Sequence, residues 1–140
     1  MNYARLFLAA LAATVAFFAY GFLVHGWLIA RDYLPYPVGV YRSSDDSRSH
    51  MPFGLLGLFV AILIFSIIYA RGFATKSSAR AGARLGFLFG LFMAGAFVAV
   101  NYATIHISGK LASELAVSEL LEWTLVGLVV GLIYKPAAAS

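Results

Sequence analysis

Four long runs of apolar residues constrain this chain more than any other feature of its sequence. A helix needs about 20 apolar residues to cross the roughly 30 Å of hydrocarbon in a bilayer, and each run is about that long. The runs are Leu6–Ala30, Met51–Ala70, Leu85–Ile107 and Leu115–Tyr134. We therefore expect an all-α membrane protein in which residues 1–140 form one domain, a four-helix transmembrane bundle.

The composition agrees with a membrane protein and excludes several other classes. Of the 140 residues, 62% are hydrophobic and 11% are charged, whereas about a quarter are charged in a typical soluble domain. The chain has no cysteine, which excludes disulfides, thiolate metal sites and a cysteine nucleophile. The basic residues lie at the ends of the apolar runs and form no patch, so the net charge of +4 does not indicate nucleic-acid binding.

The positions of lysine and arginine predict how the chain is oriented in the membrane. The segment between the second and third runs has basic residues and no acidic residue; its basic residues are Arg71, Lys76, Arg80 and Arg84. In the first connecting segment, Arg31–His50, three arginines are balanced by three aspartates. Because basic connections stay on the cytoplasmic side, we expect both termini and the second connection to be cytoplasmic.

The first connecting segment is also rich in tyrosine. It contains Tyr33, Tyr36 and Tyr41, close to the predicted end of the first run. Tyrosines beside a membrane boundary are usually anchors at the headgroup level. A docking surface for a partner protein is the alternative interpretation of the same residues.

A faint internal repeat relates the two halves of the chain. The second run ends with Ile68–Arg71 and the fourth with Ile133–Pro136, each an Ile-Tyr pair close to a basic residue. Two helical hairpins in parallel repeat would produce this pattern. The shared rules for residues at a membrane interface would produce it as well.

Small residues at a spacing of four mark where helices pack closely in lipid. The third run has Gly82, Gly86 and Gly90 at this GxxxG-type spacing, and the fourth has Gly127 and Gly131. The glycine stripe packs either within the bundle or against a neighbouring protein or a second copy of the chain. The hypothesis of an accessory subunit predicts that the stripe faces another chain.

Five polar side chains on three runs fall in the same half of the bilayer, given a rise of about 1.5 Å per residue. They are His25, Asn101, His106, Glu119 and Glu122. Ionisable groups in a span are costly and usually face the bundle or water. We consider a structural pairing of a glutamate with His25 or Asn101, a proton or cation site, and a metal site of two imidazoles and two carboxylates. Haem ligation by the two histidines has no further support.

The sequence contains none of the motifs that indicate common enzyme chemistry. There is no Walker loop, dinucleotide fingerprint, HExxH or GxSxG motif. No serine, histidine and aspartate are placed to suggest a catalytic triad. Nothing in the sequence therefore supports an enzymatic activity or names a cofactor.

Several short motifs are found along the chain, and most of them lie in its second half. They are Gly86 and Gly90, Asn101–Ile105, Glu122-Trp123, Gly127 and Gly131, and more loosely His25-Gly26-Trp27 with Tyr41-Arg42. In these motifs the second half of the chain resembles small four-span bacterial membrane proteins of unknown function. His25-Gly26 is also similar to DoxX-like four-span proteins, whose usual acidic residue in the second span has no counterpart here. The resemblance implies a four-span fold in a bacterial inner membrane and implies no activity.

Two hypotheses about function follow, from different classes. The one that the sequence favours is a structural or accessory subunit that binds other membrane proteins or copies of itself. It depends on the glycine stripe, the tyrosine-rich segment and the absence of catalytic motifs. The other is a small transporter or an ion- or metal-binding protein that uses the polar cluster, and it predicts that Glu122→Gln abolishes binding while assembly stays intact.

Overall fold

The computed structural model describes residues 1–33, 42–73 and 78–136, which contain helices and no strand. The α-helices are Tyr3–Leu23, Ala30–Tyr33, Ser44–Gly72, Ala79–Met93, Val100–Thr104 and Gly109–Ile133, and π-helical turns occupy Val24–Leu28 and Ala94–Ala99. Three residues named in the sequence analysis, Tyr36, Tyr41 and Lys76, lie outside the described residues.

Within the described ranges, four helices are long and apolar enough to cross a membrane. The first span is Tyr3–Leu28, the second Asp45–Gly72, the third Ala79–Thr104 and the fourth Gly109–Ile133. The predicted fold class, an all-α membrane protein built as a four-helix bundle, is confirmed.

Three of the helices begin several residues before the predicted apolar runs. Each starts after a serine whose hydroxyl accepts a backbone N–H of the first turn, at Ser43, Ser78 and Ser108. The first turn after Ser43 also holds Asp45 and Asp46, whose negative charge interacts favourably with the helix dipole. The apolar runs did not include these turns, because a capped first turn is polar. Residues 44–50 are therefore helix rather than the predicted loop.

The four spans alternate in direction, so the bundle has two distinct ends. The proximal end is where the first span begins and the fourth ends, and there the Asn2 backbone N–H lies 3.5 Å from the Tyr134 hydroxyl oxygen. The distal end is where the first and third spans end and the second and fourth begin. The fourth span is central, because it packs against the third and the first, while the second packs mainly against the first.

One aromatic side chain from each span meets in the core. The Phe65 ring of the second span lies 4.9 Å from Phe89 of the third and 5.7 Å from Trp123 of the fourth, between ring centroids. Phe17 of the first span contacts Trp123 edge-on at 5.9 Å. Such pairs add to the free energy gained by burial, and here they join the second and third spans.

The two tyrosines of the faint repeat pack against each other near the proximal end. Tyr69 and Tyr134 are both buried, and their ring centroids lie 6.2 Å apart in an edge-to-face arrangement. The Tyr69 hydroxyl donates to the backbone carbonyl of Ser78 at 3.1 Å. These contacts fasten the second span to the beginning of the third and to the end of the fourth.

The glycine stripe lies in the contact between the third and fourth spans of the same chain. A Cβ atom added to Gly82 would overlap the carbonyl oxygen of Gly127, and one added to Gly86 would overlap that of Trp123. A Cβ on Gly90 would lie 2.7 Å from the Cα of Leu120. The glycines therefore allow two backbones to touch within the bundle, and the prediction that the stripe faces another chain is wrong.

The fourth span contributes its own glycines to the same contact. A Cβ on Gly131 would lie 2.6 Å from the Ser78 carbonyl oxygen, and one on Gly127 would overlap that of Gly82. Close backbone approach replaces the hydrophobic effect, which cannot join helices inside lipid. This contact also fixes the rotation of the fourth span, and hence the direction in which its two glutamates point.

Candidate functional site

The polar residues predicted from depth lie in the distal half of the bundle, on elements with unusual backbone geometry. His25 belongs to the π-helical turn Val24–Leu28 that ends the first span. Asn101 follows the second π-helical turn, Ala94–Ala99, in the third span. A π turn inserts one residue into a helix and is frequent at functional sites. Both insertions rotate the residues that follow, which apolar periodicity does not reveal.

Glu122 is the most deeply buried of the ionisable side chains at the site. It is 2% exposed, and its Oε1 atom accepts no hydrogen bond from the residues that the structure describes. The same atom faces the first span, since a Cβ added to Gly21 would lie 3.3 Å from it. Burying a polar oxygen without a partner costs free energy, so this carboxylate requires an explanation.

Glu119 lies one turn away on the same face of the fourth span and has a partner. Its Oε2 accepts a hydrogen bond of 3.1 Å from the indole Nε1–H of Trp123. Trp123 is itself fixed by the aromatic core. The two carboxylates therefore differ in their surroundings, because one is held by an indole and the other has an oxygen without a partner among the described residues.

The imidazole of His25 is held between two hydroxyl groups. Its Nδ1 lies 3.0 Å from the hydroxyl oxygen of Tyr33, and its Nε2 lies 3.1 Å from that of Ser118. A neutral histidine can accept at one nitrogen and donate at the other, which matches two hydroxyls. The ring is therefore fixed across the first and fourth spans rather than paired with Glu122.

Sequence reasoning missed Ser118 and Tyr33 as parts of the site. Ser118 is buried, and it lies four residues before Glu122 on the same helical face. That spacing was the available signal for Ser118. Tyr33 was interpreted as a headgroup anchor, because nothing in the sequence shows that the chain after Leu28 turns back over His25.

Two cavities flank the polar residues. The aromatic cavity, of about 470 Å³, lies between the first, second and fourth spans. It is lined by Phe17, Phe18, Gly21, Phe22, His25, Met51, Gly54, Leu55, Leu58, Glu119 and Glu122. The Asn101 cavity, of about 370 Å³, is lined by His25, Tyr33, Phe97, Val98, Asn101, Ile105, Ile107, Leu115 and Glu119. Only His25 and Glu119 occur in both linings, so they separate the two cavities.

The structure brings together most of the predicted polar residues. Glu119, Glu122 and His25 line the aromatic cavity, while Asn101 shares the other cavity with His25 and Glu119. His106 is exposed and lines neither of these two cavities. Glu122 and Asn101 therefore lie on separate cavities, which His25 and Glu119 both line.

The metal interpretation finds no support in the arrangement of side chains. Within residues 1–33, 42–73 and 78–136, no group of three histidine, aspartate or glutamate side chains could hold a metal ion. His50, at the start of the second span, is exposed and lies 3.2 Å from Asp46, between Nδ1 and Oδ1. The site is thus a pair of carboxylates with one hydrogen-bonded imidazole.

No family model, curated protein or solved structure matches this chain. The resemblance to small four-span bacterial membrane proteins, and to DoxX-like proteins, stays a prediction.

Proposed function

We propose that this protein binds a cation at Glu122 and Glu119 within the membrane, as a small transporter or ion-binding protein. The observation that carries the proposal is the Oε1 atom of Glu122, which is buried beside the aromatic cavity and accepts no hydrogen bond from the described residues. Ionisable groups inside a membrane usually mark ion or substrate pathways. A bound cation or proton would neutralise this carboxylate.

The alternative structural role requires a partner for Glu122 inside the bundle. The candidates from the sequence were His25 and Asn101, but both nitrogens of His25 lie against hydroxyl groups. Asn101 lines the other cavity, in which Glu122 takes no part. The polar contacts among the described residues thus favour binding over a fixed internal pair.

The arrangement of the two glutamates favours a ligand with a positive charge. They are three residues apart on one helical face, and both line the aromatic cavity. Two neighbouring carboxylates in a low dielectric repel each other unless a proton or a cation neutralises one of them. Exchange of a proton for another cation at such a pair is the elementary step of a proton-coupled transporter.

The charges at the ends of the spans support an orientation for the site. Arg71, Arg80 and Arg84 all lie in the proximal part of the second and third spans. The positive-inside rule supports a cytoplasmic position for this end, and we therefore propose that the site lies in the outer half of the bilayer. We extend the proposal to a bacterial inner membrane, in keeping with the resemblance to small bacterial four-span proteins.

Cation binding to purified protein tests the proposal. Sodium, potassium and tetraphenylphosphonium ions are titrated separately into detergent-solubilised protein and followed by calorimetry. We expect at least one of them to bind, and Glu122→Gln to weaken that binding by at least tenfold, because it removes the charge and keeps the shape. Asp45→Asn, which removes an exposed carboxylate outside the site, is the control and leaves binding unchanged.

Two outcomes would contradict this proposal. Binding that is equal in Glu122→Gln and in the unchanged protein would show that the carboxylate takes no part. Loss of helix content and of monodisperse elution in Glu122→Gln would assign the carboxylate to folding instead. Circular dichroism and size-exclusion chromatography of each variant therefore accompany the titration.

A second candidate function, that of an accessory subunit, is supported by the distal part of the second span. Phe53 is 75% exposed and Leu56 is 63% exposed, and among the described residues a Cβ on Gly57 would meet no atom within 4 Å. A neighbouring membrane protein could pack on this surface, as lipid could. Native mass spectrometry after gentle extraction from the source membrane distinguishes a protein partner from lipid on this surface, since an accessory subunit retains a partner protein at fixed stoichiometry.

A further inference from the structure

We infer that the ligand of the aromatic cavity is a lipophilic organic cation, a molecule with one positive charge on an apolar or aromatic body. This inference rests on the proposed function and names its substrate class. It depends on three features of the cavity, which are the chemistry of its walls, its volume and the surface on which it opens.

The walls of the cavity are carbon-rich apart from one side. Phe18 and Phe22 come from the first span, and Met51 and Leu55 come from the second. The carboxylates enter from the fourth span alone. Aromatic faces attract organic cations, and apolar side chains bury the rest of such a molecule.

A small inorganic ion would find few ligands in this cavity. Sodium- and calcium-like ions take up several oxygen atoms at short range, but the polar lining is limited to the two glutamates and one imidazole. His25 is already held by Ser118 and Tyr33. An ion whose charge is spread over an organic body needs only a nearby carboxylate and apolar contact.

The volume of the cavity also fits a molecule rather than a single ion. Its volume of about 470 Å³ falls within the roughly 300–1,000 Å³ typical of sites for small organic ligands. One water-sized ligand needs only about 30 Å³. The space between the first and second spans is therefore large enough for a small organic molecule.

The cavity opens on the outside of the bundle, between exposed apolar side chains of the first and second spans. Phe22 is 72% exposed and Met51 is 42% exposed, and both belong to the lining. A Cβ on Gly54 would meet no atom of the described residues within 4 Å, so none of the other described helices packs closely against the second span there. A lipophilic cation dissolved in the bilayer can reach the carboxylates sideways from this opening.

Binding of tetraphenylphosphonium, compared with its neutral analogue triphenylphosphine oxide and with sodium and potassium ions, tests the inference. The full-length protein in lipid nanodiscs is titrated with each compound. We expect tetraphenylphosphonium to bind at least tenfold more tightly than the neutral analogue, and Glu122→Gln to remove that preference. Phe22→Leu weakens tetraphenylphosphonium binding severalfold, whereas Phe92→Leu, at an exposed ring outside the cavity lining, does not.

Each other outcome overturns a defined statement. Binding of sodium or potassium that depends on Glu122, without binding of tetraphenylphosphonium, would overturn the organic-cation inference and leave the proposed function standing. Absence of binding by all three cations would overturn both. Equal binding of tetraphenylphosphonium and its neutral analogue would show partition into an apolar space filled by lipid, and would also overturn the inference. The comparison of tetraphenylphosphonium with its neutral analogue uses the unchanged protein, so it tests the inference even if a Glu122 variant does not fold.

Discussion

Two regions of this molecule contain glycines inside spanning helices, and they use them in opposite ways. In the contact between the third and fourth spans, the Cβ positions of Gly82 and Gly86 are occupied by backbone atoms of the fourth span. In the distal part of the second span, Gly54 and Gly57 have no atom of the residues that the structure describes within 4 Å of their Cβ positions. Glycine therefore allows close backbone contact between two helices in the first region, whereas in the second region no described helix packs against it.

The difference shows that spacing, rather than glycine content, indicates close packing. Gly82 and Gly86 are four residues apart and face Gly127 and Gly131, which have the same spacing on the partner helix. Gly54 and Gly57 are three apart and face no such row. The fourth span, which carries both glutamates, is thus joined closely to the third span, whereas the distal part of the second span makes no such close contact among the described residues.

Substitution of Gly86 tests the tight contact and has the largest expected effect. In Gly86→Leu the new side chain would overlap the Trp123 carbonyl, so the third and fourth spans must move apart. Overpacking of this kind costs about 1–3 kcal/mol, and more where backbone must shift. Thermal unfolding in detergent, followed by circular dichroism, measures the loss. Gly57→Leu is the matched control and should not lower stability, because leucine is favoured over glycine inside a helix by up to about 1 kcal/mol.

Equal stability of the two leucine variants would break the comparison between the regions. It would mean that the third and fourth spans can separate without cost, and that Gly86 does not define a contact. A large loss in Gly57→Leu would instead show that the distal part of the second span is covered in the folded protein.

The sequence predicted the helices and the close contact well, for a physical reason. Crossing a bilayer requires about 20 apolar residues, and close backbone approach in lipid requires small residues at helical spacing, so both leave one-dimensional patterns. Gly86 and Gly127 could therefore be identified from their spacing alone. Whether that contact lay within one chain or between chains could not be predicted, because both arrangements use the same pattern.

The candidate site was predicted only in part. The depth of a side chain in the membrane follows from its position in the sequence, but the direction in which it points does not. Glu119, Glu122 and His25 were placed at one height by rise per residue. Their common cavity depends on how each helix is rotated, and the π turn around His25 changes that rotation by inserting a residue. Gly21 left no signal at all, since its role is to leave room for the Glu122 carboxylate.

A methyl group placed at Gly21, in the wall of the aromatic cavity, tests access to Glu122 and has a smaller expected effect than Gly86→Leu. In Gly21→Ala the added carbon would lie 3.3 Å from Glu122 Oε1, which pushes the carboxylate and shields it from a ligand. We expect tetraphenylphosphonium binding to weaken on the order of threefold to tenfold, equivalent to about 1 kcal/mol. Titration in nanodiscs provides the measurement.

Gly54→Ala is the control for this variant, because it adds the same group to the same cavity. Its Cβ has no atom within 4 Å, so binding should stay within a factor of two of the unchanged protein, or about 0.4 kcal/mol. Equal weakening by both alanines would indicate that the ligand fills the whole cavity. If both variants bind tetraphenylphosphonium as tightly as the unchanged protein, the ligand does not reach Glu122 by passing Gly21.

Removal of the Ser118 hydroxyl has the smallest expected effect and tests how the fourth span is joined to the first. Ser118 connects the fourth span to His25 of the first span through a hydrogen bond of 3.1 Å. Hydrogen bonds between helices in membranes contribute about 0.6 kcal/mol on average, so Ser118→Ala should lower the unfolding free energy by about that amount. Ser66→Ala is the control, because Ser66 is equally buried but donates to Ile62 of its own helix at 2.8 Å.

A double-mutant cycle with His25→Leu isolates the contribution of this contact. If Ser118 acts only through the imidazole, its substitution has no further effect once His25 is replaced. Persistence of the full effect in the His25→Leu background would show that Ser118 stabilises the fourth span alone. The first span would then owe its position to the Phe17–Trp123 contact, and the wall between the two cavities would be held by apolar packing rather than by hydrogen bonds.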